Sequence, residues 1–439
     1  MLYNGPCVPF GQVESVRGLV AEISGLREPV AIGDRLVLER RHGGQTIGEV
    51  IGFASGRVQV MAFDDLDGIA AGAPAAWFGR NRSALFPSNA WLGRVIDPMG
   101  RPLDGTGPLL SGPHPWITRS AALPANRRAR VGPRIDLGVR ALDLFATMRE
   151  GQRLGLFAGS GVGKSTLLAM IAQGAACDAV IIALVGERGR EVREFIEDDL
   201  GAEGLAKSVV VVATSDTPPL TRRQCAYTAV TVAEFLRDQG LSVLLLMDSV
   251  TRFCLALREI GLSLGEPPAT RGYPPSVFAE LPRLLERAGP GLEGEAGKPG
   301  SITGLYSVLV EGDDLNEPVA DAVRGILDGH VVMDRRIAEA GRYPAIDVLR
   351  SLSRLAASCL SERQTAIVQR ARTVLSLHAD MVDMVRLGAY RAGTDAAVDE
   401  AIRLTPAIEA VLRQDKSDRS SFDSAFEKLA SALGIVDGQ

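Results

Sequence analysis

The stretch from Gln152 to Ala176, QRLGLFAGSGVGKSTLLAMIAQGAA, constrains this chain more than any other. It opens on a short apolar run, Leu154 to Phe157, of the length of a buried strand. A glycine-spaced turn follows, and Leu167, Leu168, Met170 and Ile171 then recur at helical spacing. Strand, flexible loop, Lys-Ser and helix in that order form a P-loop, a cradle for nucleotide phosphates. Gly159, Ser160, Gly161, Val162, Gly163, Lys164, Ser165 and Thr166 make up the cradle. The glycines let consecutive N–H groups turn inward on the β-phosphate, and the helix N-terminus adds partial positive charge. Lys164 is placed to reach the β/γ oxygens, and the Ser165 hydroxyl to bind magnesium. Ala158 stands where the first glycine is usual, which asks only for a less extreme backbone angle there. The segment implies a nucleoside triphosphate site.

A chain of 439 residues exceeds one small core, and two or three domains are expected. The net charge of −5 argues against a surface built as a whole to hold nucleic acid. Five scattered cysteines (Cys7, Cys177, Cys225, Cys254, Cys359) form no CxxC pair, and a reducing cytosol fits them better than a disulfide framework. Four histidines far apart in sequence offer no metal site. No apolar run approaches the roughly 18 residues of a membrane helix, and the N-terminus lacks a basic-then-apolar signal.

In chain order, residues 12–61 read as short strands (GLVAEIS, DRLVLER, TIGEVIGF, GRVQVMAF) separated by Gly, Asp and Pro, the pattern of a small antiparallel barrel. A Gly/Pro-rich connection follows. The arginines of ANRRARVGPRIDLGVRALDLF read as a solvated linker with salt-bridging Arg, since no aromatics interleave them. From the P-loop onward strands alternate with helices. AVIIALVG (179–186), SVVVVATS (208–215), SVLLLMDS (242–249) and SITGLYSVLV are near-continuous apolar strands, hence a parallel sheet covered on both faces. Ligands of such sheets sit at the carboxyl ends of strands. There Leu244-Leu245-Leu246-Met247-Asp248 ends on a carboxylate that fits the magnesium-holding half of a P-loop site. Glu187, at the end of its own strand, fits either a carboxylate that polarises the attacking water or an acidic residue opening the next helix.

GSGVGKS, GERGREVREFIEDDLG, LLLMDSVTRF, GEPPATRGYPPSVFAELPRLLERAG, GSITGLYSVLVEGDD and GRYPAIDVLRSLSR together resemble the catalytic subunits of rotary ATP synthases. The likeness is stronger to their bacterial type III secretion relatives and extends to LGAYRAGTDAAVDEAI (387–402). REVREFIEDDLG and Thr270-Arg271-Gly272-Tyr273-Pro274-Pro275 look most like the flagellar export ATPase, with the injectisome ATPase as runner-up. The resemblance implies an α/β fold with a RecA-like P-loop core: barrel at 1–82, nucleotide-binding domain at 83–368, C-terminal helical domain at 369–439. It implies ATP and Mg2+, with Glu187 activating water, Arg188 and Arg252 lining the phosphate site, and Tyr343 packing on adenine. Arg354 matches the arginine finger that reaches a neighbouring subunit's site in a homohexameric ring.

Other implied partners are a stator-like export regulator, a central stalk protein met by the loop Leu264 to Ala269, substrate–chaperone complexes and the export gate at the membrane. The place implied is the cytoplasm, peripheral to the inner membrane at the flagellar base. No nucleic acid is expected. In the C-terminal region Val374, Leu375, Leu377, Met381, Met384 and Val385 form a stripe that reads as core packing. Flagellar relatives commonly carry a helix ahead of the barrel, whereas MLYNGPCVPFG is too short and too rich in Gly and Pro for one, so either the true start lies upstream or docking of the regulator differs. Two other readings stand beside the export ATPase. An RNA-translocating helicase of the termination-factor type needs a basic, aromatic platform, for which FGRNRSALF (78–86) is a poor candidate. A non-catalytic ring subunit lacks the activating carboxylate that Glu187 supplies; a rotary catalytic subunit proper is disfavoured by EGDD and GREVREF.

Overall fold

The computed structural model describes residues 10–26, 29–77, 84–294, 299–310 and 314–435. Cys7, the segment ahead of the barrel, residues 78–83 of the FGRNRSALF stretch and Glu311 to Asp313 of EGDD lie outside them.

Six strands close an antiparallel barrel in the order β1 (Phe10–Arg17), β2 (Val20–Ser24), β5 (Arg57–Ala62), β4 (Gln45–Ala54), β3 (Arg35–Glu39) and β6 (Pro74–Trp77). Side chains alternate across each strand, so Leu36 and Leu38 of β3 point inward with Val13, Ile23, Val50 and Val60, and closure leaves no unpaired edge. The barrel seats on the next domain through Ile51, Met61 and Phe63 against Leu220 and Ile260. Glu49 of β4, buried in that seam, is held by Arg223 at 2.6 Å and Arg119 at 3.6 Å.

The second domain is built on a nine-stranded sheet among the described residues. Eight lie in a row, Ile346–Ser353, Gly329–Met333, Arg153–Ala158, Ser301–Leu309, Ser242–Asp248, Ala179–Glu187, Ser208–Thr214 and Arg94–Ile96, and Gly289–Pro290 pairs with Ser301–Leu309 off that row. All neighbours in that row are parallel except the Ile346–Ser353 edge strand. Ala158, Glu187 and Asp248 therefore end their strands on one edge of the sheet. The apolar runs appear as strands, with Ala179, Val180, Ile181 and Ile182 buried on both faces. Three strands of the row were not visible in the sequence: Arg94–Ile96, in the supposed connection, the five-residue Gly329–Met333, and Ile346–Ser353, which is buried on only part of its length.

Three helices close the chain: Glu362–Arg386 behind a Ser361/Gln364 capping box, Ala396–Leu412 capped by Asp395, and Phe422–Ala432 capped by Ser421. The expected boundary at 368/369 falls inside the first, which runs unbroken through it. Val374 and Leu375 join the core beneath the P-loop helix, but Met384 and Val385 are exposed, so the stripe packs only in its first half. Of the linker arginines, Arg127 and Arg130 are exposed and Arg134 pairs with Asp136 at 3.3 Å, as a solvated, salt-bridging run would have it, but Arg140 departs from it. Arg140 is buried and reaches across to the carbonyl of Val411 at 2.7 Å, the carbonyl of Arg413 at 2.5 Å and Asp418 at 2.6 Å.

Asp143, on the short helix Arg140–Phe145 that packs on Phe422–Ala432, is fully buried. Its Oδ1 accepts from the Leu137 N–H at 2.9 Å, while Oδ2 has no partner. Burial pushes its carboxyl up to about 7, with help from the Asp136 charge and against the N–H groups of Leu137 and Gly138. The folded chain thus keeps this proton to about pH 7, whereas the unfolded chain releases it near the ordinary value of 3.8. Stability from this group is full at low pH and falls as pH rises through that window, by on the order of 4 kcal/mol. Asp143→Asn is expected to flatten this part of the pH dependence in urea melts between pH 5 and 8. An unchanged slope would refute it.

Candidate active site

The P-loop strand Arg153–Ala158 delivers the chain to a turn that only glycine takes easily: φ is +78° at Gly161 and +86° at Gly163. The helix Lys164–Gly174 starts there with no side-chain cap, so its first N–H groups face the loop's concavity. Ser160, Gly161 and Ser165 are exposed at this mouth, while Val162 anchors the loop in the core.

Lys164 projects between two carboxylates, hydrogen-bonded to Asp248 and 3.5 Å from Glu187. Burial works against its charge, but Asp248 and Glu187 overcome that and hold its pKa above the ordinary value. Asp248 is nearly inaccessible and also accepts from Ser307 Oγ at 2.6 Å. Glu187 is driven the other way: burial raises its pKa, the Asp248 charge adds to this, and Lys164 and Arg252 oppose it. A raised pKa makes the carboxylate a stronger base for a proton drawn from water. Arg252 lies in the first turn of the helix Val250–Ser263, whose N-cap Ser249 accepts from the Arg252 N–H at 3.3 Å. Its Nε is buried without a hydrogen-bond partner. Tyr343 leaves 47% of its surface open and lays its ring beside Gly163, a flat face next to the cradle.

The structure thus gathers Lys164, Glu187, Asp248, Arg252 and Tyr343 around the loop. Arg188 departs from expectation. Its side chain is 74% exposed and pairs with Glu191 at 3.2 Å, away from Lys164. Its backbone is extended, so once Glu187 faces the loop the next side chain faces outward.

Arg354 does not join its own site either. It follows the edge strand whose Ser353 pairs with Gly329, at the amino end of the parallel strands, and its N–H bonds the Asp328 carbonyl. The P-loop lies roughly 20 Å farther along at about 3.3 Å per residue. Arg354 is exposed there, out of reach of its own cradle.

Three residues at the site escaped sequence reasoning. Ser307 left a trace, a hydroxyl inside an apolar strand. Arg335, donating to the Ser160 carbonyl at 3.2 Å, and Arg222, packed against Gly186, left none.

Ser165 Oγ and the Asp248 carboxylate are hard oxygen donors at the mouth and floor of the cradle, the donor type that magnesium takes. Among the described residues no helix is long and apolar enough to cross a membrane.

Family models match in chain order. Residues 13–76 match the beta-barrel domain of the ATP synthase alpha/beta family, and residues 138–353 its nucleotide-binding domain. Residues 360–431 match the T3SS EscN ATPase C-terminal domain. A flagellum-specific ATP synthase of Caulobacter vibrioides is 52% identical over 429 residues, 98% of this chain and 96% of that protein. The assembled ATPase EscN of the enteropathogenic E. coli type III secretion system superposes with TM-score 0.87 at 38% identity, over 96% of this chain and all of that one. The same ATPase in complex with its central stalk EscO superposes with TM-score 0.86 at 37% identity, again over 96% of this chain and all of that one.

Proposed function

Since this chain belongs to the ATP synthase alpha/beta family, in its flagellar and type III secretion branch, we propose that it hydrolyses Mg-ATP at subunit interfaces of a homohexameric ring that energises flagellar protein export. The observation that carries the shared-site reading is the position of Arg354, exposed at the sheet edge opposite its own P-loop.

Each residue takes a role from its place. Gly161, Gly163 and the helix N-terminus hold the β-phosphate through backbone N–H groups, and Lys164 balances the γ-phosphate charge. Tyr343 stacks on the adenine. Glu187 orients a water for in-line attack and accepts its proton, which the raised pKa of its carboxyl favours. Arg252 faces the developing charge from within the subunit, and Arg354 reaches it from the next one. Ser165 Oγ and the Asp248 carboxylate would hold a magnesium ion, which would supply charge neutralisation at the phosphate oxygens.

The assembled relative supports the ring, and its complex with EscO supports a central stalk that meets the loop Leu264 to Ala269, where Pro267 and Pro268 are exposed. The regulator, the substrate–chaperone complexes, the gate and the place at the inner membrane follow from the same branch. An injectisome role is the second reading, favoured by the C-terminal match to the EscN-type domain.

Turnover per subunit is expected to rise steeply with protein concentration and then level off as interfaces form. A rate per subunit independent of dilution would sink the shared-site reading. The flagellar assignment is tested in cells of the source: loss of the chain should abolish filament growth and be restored only by an active copy.

A further inference from the structure

The catalytic face of Glu187 is set by a bulge. Along the strand Ala179–Glu187, Ile182 and Leu184 pack on the face that carries the P-loop helix, whereas Ala183 and Val185 pack on the opposite face, with the helix Pro219–Arg237. Strict alternation would send Glu187 to the Val185 face, away from Lys164. The register against the neighbouring strand slips here: Val185 pairs with Ala213, but Glu187 pairs with Thr214. Gly186 is the extra residue, with φ of +71°, and it turns Glu187 to the Lys164 side.

The vacated side of the bulge is filled by two arginines. A β-carbon at Gly186 would stand 3.2 Å from Arg252 Cβ and 3.5 Å from Arg222 Cδ. Arg222 is itself fixed at both ends of its guanidinium. Nε donates to the Thr217 carbonyl at 3.0 Å, and Nη2 donates to Glu259 Oε2 at 2.6 Å. Glu259 lies on the helix Val250–Ser263, two turns beyond Arg252. The Arg222–Glu259 pair therefore ties the two helices that flank Gly186 and closes the space into which the bulge could relax.

We propose that Arg222, held by Glu259, is a positioning residue for Glu187. It touches neither nucleotide nor water, and acts by keeping the Gly186 bulge pressed so that the carboxylate stays on the Lys164 face. This rests on Glu187 being the water-activating group. A carboxylate misplaced by a fraction of an ångström loses in-line geometry while the P-loop, on another strand, keeps its hold on nucleotide.

The test compares Arg222→Ala, Arg222→Lys, Glu259→Gln and Glu187→Gln in full-length protein, at a concentration where turnover per subunit has levelled off. Arg222→Ala is expected to lower kcat by about tenfold or more with KM within about twofold, since only the transition-state geometry is disturbed. Glu259→Gln should lose less, about threefold, again in kcat. Arg222→Lys, which keeps the charge but not the two-pronged grip, should fall between Arg222→Ala and wild type. The double variant Arg222→Ala/Glu259→Gln should be no worse than Arg222→Ala alone. Should Arg222→Ala fail to fold, Glu259→Gln decides, because the Glu259 side chain is 43% exposed. Wild-type kcat in folded Arg222→Ala or Glu259→Gln, or a rise in KM alone, would overturn the positioning role. Wild-type kcat in Glu187→Gln would instead overturn the assignment of Glu187 beneath it.

Discussion

Glu187→Gln and Arg354→Ala are each expected to be nearly inactive alone and to regain activity when mixed. Glutamine cannot accept the proton of the attacking water, and the loss expected is about 10²–10⁴-fold. Removing an arginine supplied in trans costs roughly 10³-fold or more. Both variants keep Lys164 and Tyr343 and should still bind nucleotide. In an equal mixture an interface works when the subunit holding the nucleotide carries an intact Glu187 and its neighbour an intact Arg354. Random mixing leaves roughly a quarter of interfaces in that state. The register places Arg354 beyond reach of its own loop, so no rearrangement inside one subunit explains such a recovery. A mixture no more active than the mean of its parts, or an Arg354→Ala variant at wild-type rate, would refute the assignment.

Lys164→Ala is expected to fail twice, in chemistry and in stability. The first failure is loss of phosphate binding and of turnover. The second follows from what Lys164 touches. It neutralises the buried Asp248 and faces Glu187 at 3.5 Å, and taking away one partner of a buried cluster leaves uncompensated charge. A loss of roughly 3 kcal/mol is expected near pH 8. Burial and the Asp248 charge already raise the Glu187 pKa against Lys164, and without the lysine it rises further, so the deficit shrinks as pH falls. Urea melts of variant and wild type at pH 6 and pH 8 check this. A deficit equal at the two values would mean that the lysine contributes packing rather than charge.

What the sequence disclosed and what it hid differ in range. The P-loop, the apolar strands and the carboxylates at their ends are contiguous, so spacing alone reveals them. Glu187 was placed at a strand end correctly, but its facing was not legible, because the Gly186 bulge shows only against the neighbouring strand. By turning Glu187 to the loop, the same bulge leaves Arg188, next along an extended backbone, facing outward. Arg222, Arg335 and Ser307 act through partners 37, 175 and 59 positions away, and no local pattern announces them. The three-residue strand Arg94–Ile96 is too short for periodicity to register. In the C-terminal region Val374 and Met384 look alike as apolar positions, yet only the first has a neighbour to bury it.

The placement of cradle and Arg354 at opposite ends of one sheet gives the subunit a direction. A ring is built from heterologous, head-to-tail contacts, so in the ring proposed above each Arg354 would serve the next subunit's cradle. Every open row then has one cradle without a donor and one donor without a cradle. A pair completes about half of its sites and a row of three about two thirds. Only closure removes both loose ends, and the last subunit to join completes two sites at once.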